Sequence, residues 1–66
     1  MSAANELNIA ADHVMRCVDI LENHKRSKPS AFELAEMHTR LERAVLALEK
    51  GTRMVVELEK LRVVRP

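Results

Sequence analysis

Residues 34–58 read LAEMHTRLERAVLALEKGTRMVVEL, and in this stretch Leu34, Met37, Leu41, Ala44, Leu48, Gly51, Val55 and Leu58 recur at alternating steps of three and four. At about 3.6 residues per turn, that spacing keeps one face of a helix turned toward a partner along its whole length. It predicts a single long helix over about 31–64. The start of that helix is also written in the chain. Ser30-Ala31-Phe32-Glu33 matches the S-x-x-E capping box, in which the serine hydroxyl and the glutamate carboxylate each satisfy a backbone donor left free by the first turn. Pro29 removes a backbone donor and pushes Lys28 out of helical geometry, so 26–30 is a turn.

Upstream of the turn, Leu7, Ala11, Val14, Val18 and Leu21 repeat at four, three, four and three, with Ala10, Cys17 and Ile20 widening the stripe on one flank. This predicts a first helix over about 3–25 whose leucine and valine face is its core. Asp12 with Arg16 and Glu22 with Arg26 are acid-before-base pairs at i,i+4, which support a helix surface. His24, Lys25 and Arg26 place positive charge in its last turn, where free carbonyls favour it. A linker this short folds two helices into an antiparallel hairpin. Gly51 is tolerated inside the second helix, because the heptad phase crosses it and Glu49 with Arg53 bridges it. The whole chain, 1–66, reads as one helical-hairpin domain.

Composition limits what such a hairpin does. A 66-residue chain supports a small core, so a staple is expected, and a lone Cys17 offers no internal disulfide. Oligomerisation is the natural substitute. The predicted fold class is therefore all-α, an antiparallel two-helix hairpin with a longer second helix that dimerises into a four-helix bundle. Leu34, Met37, Leu41, Ala44, Leu48 and Val55 form its expected dimer seam. The formal net charge of +1 supplies no bulk attraction for nucleic acid or acidic lipid. The absence of a leader-like start or of a long apolar run predicts a cytoplasmic protein with no membrane contact.

No residue pattern calls for catalysis, and no cofactor is expected. His13 and Cys17 stand at i,i+4 with His24 beyond them, yet zinc needs about four ligands and the sequence supplies no second ligand pair. The same residues imagined as thiolate and base have no enclosed pocket on a two-helix scaffold. Met15 and Met37 read as core filler, and the glutamates of the second helix as a solvated face. The run His24-Lys25-Arg26-Ser27-Lys28 lacks interleaved aromatics for base stacking, so nucleic acid is not the expected partner.

Protein is. A second helix of about 50 Å outruns a first of about 34 Å. Its apolar end, including Met54, Leu58, Leu61, Val63 and Val64, is an interaction surface in waiting. Met54, Leu58 and Leu61 form a strip at i, i+4 and i+7 that either completes the homodimer or fills a partner's groove, with Arg62, Arg53, Glu57 and Arg65 as a charged rim.

The layout of a short helix, a Pro/Ser turn and a longer helix carrying Leu41-Glu42-Arg43-Ala44-Val45-Leu46-Ala47-Leu48 resembles the small two-helix co-chaperones of type III secretion needle subunits. It also resembles compact phage-encoded inhibitors of host regulators, the quorum-sensing anti-activators among them. These resemblances imply a bacterial or phage accessory protein that escorts or inhibits a host or cognate protein. A third resemblance, to the plasmid copy-number hairpin that dimerises into a four-helix bundle, implies RNA binding; here the first helix lacks that protein's basic stripe.

Overall fold

The structure, a computed structural model, describes residues 2–64 and the side chains of residues 2–62. Arg65 and the side chains of Val63 and Val64, expected on the projecting end, lie outside the described residues. Two helices form an antiparallel hairpin about 57 Å long, α1 at Ala3–Asn23 and α2 at Ala31–Val64.

Each helix starts on a serine. Ser2 is extended and its hydroxyl accepts from the Asn5 backbone N–H at 3.1 Å. Ser30 forms the complete capping box: its hydroxyl accepts from the Glu33 N–H at 3.1 Å, and its own N–H donates to Glu33 Oε1 at 2.9 Å. α1 ends at Asn23, with His24 as its cap donating to the Leu21 carbonyl. The last turn of α1 therefore carries no base; Lys25 and Arg26 lie in the turn. α2 runs unbroken through Gly51.

The seam between the helices corrects the expected facing of α1. Ala10, Cys17 and Ile20, expected on a flank, are the residues buried against α2, while Leu7, Ala11, Val14, Val18 and Leu21 are exposed. On α2 the stripe divides. Met37, Ala44 and Gly51 are buried with Ala47 in this intrachain seam, whereas Leu34, Leu41, Leu48 and Val55 stay exposed. The physical reason is size. Ala10 clusters with Ala44 and Ala47, and such small side chains let the two backbones approach closely; a leucine at those positions would hold them apart. Cys17, Ile20 and Met37 fill the wider end toward the turn. A Cβ added to Gly51 would sit 2.9 Å from Leu7 Cδ2, so this glycine marks a close contact between the helices. Met15, expected as filler, is exposed instead.

Candidate functional site

Ion pairs tie one side of the hairpin together. Glu36 Oε2 accepts from Arg16 Nε at 3.1 Å across the helices and from Arg40 Nε at 3.0 Å along α2. The hydrogen bond from Arg16, then that from Arg40, holds the Glu36 carboxyl below the usual glutamate range, and Glu36 in turn raises Arg16. At the tip, the Ser30 backbone N–H and then His24 lower Glu33, whose carboxylate lies 3.1 Å from His24 Nε2. Glu33 and Glu36 are thus structural acids rather than members of a merely solvated face. Among the described residues, the i,i+4 pairs expected from Asp12, Glu22 and Glu49 are not formed; Arg16 reaches over to α2 instead.

The side chains weighed for metal or nucleophilic chemistry are spoken for elsewhere. Cys17 is buried with its Sγ 3.7 Å from the Met37 carbonyl. His13 Nδ1 faces Arg40 Nη1 at 3.4 Å, and His24 joins Ser27 and Glu33. Among the described residues no three His, Cys, Asp or Glu side chains gather as a metal site.

The opposite side of the hairpin is uncharged. In α1 the positions just beyond the seam are Ala4, Leu7, Ala11, Val14, Val18 and Leu21; in α2 they are Leu34, His38, Leu41, Val45, Leu48, Thr52 and Val55. Because the helices are right-handed and antiparallel, these two rows lie on the same side of the molecule. Ile9 and Leu46, on the other side, share a groove with His13, Arg43 and Lys50. From Ala4 to Leu21 and from Leu34 to Val55 these rows hold no Asp, Glu, Lys or Arg, with His38 3.9 Å from Glu42 at their edge, and their leucines and valines remain about 37–54% exposed.

A second surface lies where α1 runs out. Ser2 and Ala3 border a shallow groove with Met54, Glu57, Leu58 and Leu61. Met54, Leu58 and Leu61 prolong the intrachain seam of α2 beyond the start of α1, about a quarter-turn around the helix from the uncharged face. Of the predicted dimer-seam residues, then, Leu34, Leu41, Leu48 and Val55 share the uncharged face and Met37 and Ala44 are enclosed within the chain. Of the predicted docking residues, Met54, Leu58 and Leu61 share the projecting strip, and Arg62 is exposed on α2 beyond it. The α1 half of the uncharged face is the row that the sequence pattern assigns to the chain's own core, so the face does not show as a unit in the sequence. Compared with known protein families, with curated proteins and with solved structures, the chain finds no match.

Proposed function

We propose that this chain is a non-enzymatic protein-protein interaction module, a homodimer closing as a four-helix bundle, which binds a target protein and inhibits or escorts it. The observation that carries the reading is an inversion of packing: the hairpin encloses alanines and a glycine while leaving its leucine and valine rows outside. A seam of small side chains contributes little transfer free energy, at about 25 cal/mol per Å² buried, so the larger apolar rows are where further stabilisation is available. No described helix is long and apolar enough to cross a membrane. The apolar rows keep helical spacing along both helices, which suits packing against the apolar face of a partner helix. The lone buried thiol suits a reducing cytoplasm, and the helix pattern suits a bacterial or phage accessory factor of the anti-activator or needle co-chaperone kind.

Two separate surfaces give the two associations separate places. The uncharged face serves the second copy, and Met54, Leu58 and Leu61 with the rim residue Arg62 serve the target. Sedimentation equilibrium at micromolar concentration tests the first: twice the 7.5 kDa chain mass is expected, and a folded, cooperative monomer contradicts it. Met54→Ala with Leu61→Ala tests the second. Loss of a purified native partner with the dimer mass retained supports it, and dissociation of the dimer assigns the strip to self-association.

A further inference from the structure

The uncharged face carries a symmetry of its own. On α2 its strongly apolar positions Leu34, Leu41, Leu48 and Val55 are spaced evenly about a midpoint between Ala44 and Val45. On α1 the row from Ala4 to Leu21 runs by steps of three, four, three, four and three, about a midpoint between Asp12 and His13. These midpoints are at the same height in the hairpin: Leu7 lies beside Gly51 and Ala10 clusters with Ala44 and Ala47, which sets residues 12 and 13 opposite residues 43–45. A twofold axis crossing the hairpin at that height, perpendicular to the helices, maps the α1 row and the four α2 positions Leu34, Leu41, Leu48 and Val55 onto themselves together, with His38, Val45 and Thr52 falling between the matched positions.

From this coincidence, and resting on the homodimer reading above, we infer that the second copy docks on the uncharged face through such a perpendicular twofold axis, α2 antiparallel to α2 and hairpin tips at opposite ends. An interface closed by a twofold axis must be self-complementary, and this one is. Leu41 meets the second copy's Leu48, and Leu34 meets its Val55. On α1, Ala11 meets the second copy's Val14 and Leu7 its Val18. Along the rows from Leu34 to Val55 and from Ala4 to Leu21 no like charges are brought together. The half-exposed leucines and valines offer on the order of 600 Å² per protomer, near the ~800 Å² per partner of a standard stable interface.

The perpendicular axis sets the α2 leucines against each other, whereas an axis parallel to the helices would set them against an α1 row that includes Ala4 and Ala11. Charge enters the row only at Glu59 and Arg62, which this register places over the second copy's turn, near Ser30 and Ser27. The projecting strips then emerge at the two ends of the dimer, one target site at each.

Amine cross-linking of the wild-type protein with peptide mass spectrometry tests the arrangement. Lys28 and Lys60 are about 45 Å apart along one chain, too far for a short reagent, but adjacent between copies in this register. A Lys28–Lys60 link confined to the dimer is expected. A dimer that instead links Lys28 to Lys28 overturns the perpendicular axis and leaves homodimerisation standing, while a folded monomer without intermolecular links overturns both. A nitroxide at Lys28→Cys in a Cys17→Ser background, checked for helicity by circular dichroism, gives an independent reading. The expected distance between labels is about 50 Å; one of about 25 Å or less places the tips together and rejects the inference.

Discussion

The two long sides of the hairpin do opposite work with the same helices. One side is pinned by Arg16, Glu36 and Arg40, a charged network that links residues 20 apart in sequence and fixes how α1 lies against α2. The other side has no ion pair across the helices among the described residues and presents rows of leucine and valine. The difference teaches that the chain closes on itself through small residues, one Cys17–Ile20–Met37 cluster and ions, and leaves most of its leucine and valine area outside. Exposed ion pairs contribute little energy and much register, which is the division of labour this arrangement uses.

The strongest way to break the comparison is to put a charge on the uncharged side. Leu48→Asp would set an unpaired carboxylate in the proposed dimer interface, a loss of about 3–5 kcal/mol, and dissociation is the expected result. Sedimentation equilibrium and circular dichroism check it, and unchanged mass with unchanged helicity removes Leu48 from any interface. Gly51→Val attacks the seam itself. The new side chain must push aside the end of the half-exposed Leu7, 2.9 Å from where even a Cβ would sit, at a cost of about 1 kcal/mol. Urea unfolding at fixed protein concentration measures it, and a midpoint equal to wild type denies the close approach.

A smaller effect is expected from acid. Glu36 and Glu33 have lowered pKa values in the folded chain, so folding favours their ionised forms. Their contribution is fully present above the ordinary glutamate pKa of about 4.3 and is lost as pH falls through the lower folded values. Stability should therefore decline at the acid end of that range, and Glu36→Gln should flatten part of the decline in denaturation midpoints taken from pH 6 to pH 2. An unaltered profile in the variant would detach the network from stability. The smallest effect sharpens the contrast. Leu46→Asp, two residues from Leu48 but on the charged side among Arg43 and Lys50, should leave dimer mass unchanged and stability within about 0.5 kcal/mol.

Local rules were legible in the chain and pairing rules were not. The capping box at Ser30 and Glu33, the stop at Pro29 and the continuity of α2 through Gly51 depend on neighbours in sequence, and each is visible there. The facing of α1 depends on how closely two backbones can approach. Two apolar rows lie side by side on α1, one residue step apart, and ranking them by side-chain size turns the larger one inward. The seam follows a second run of heptad spacing that shares Met37, Ala44 and Gly51 with the first and adds Arg40, Ala47 and Met54, matched by Glu6, Ala10, His13, Cys17 and Ile20. Its small residues mark the tight antiparallel seam even though polar ones interrupt it. The Arg16 bond to Glu36 had no local trace at all, since Asp12 offered Arg16 a nearer partner.

Because α1 begins at Ala3, the last turns of α2 have no helix across from them, and the hairpin carries a stability gradient along its own length. Backbone amides around Ala44 exchange with solvent only when the hairpin opens, whereas those near Leu58, with no described helix across from them, exchange through local opening. Arg53, Lys60 and Arg62 place tryptic cleavage points along that same stretch. A target bound there as proposed would slow exchange and cleavage in this stretch first, while the rest of the molecule keeps its own time.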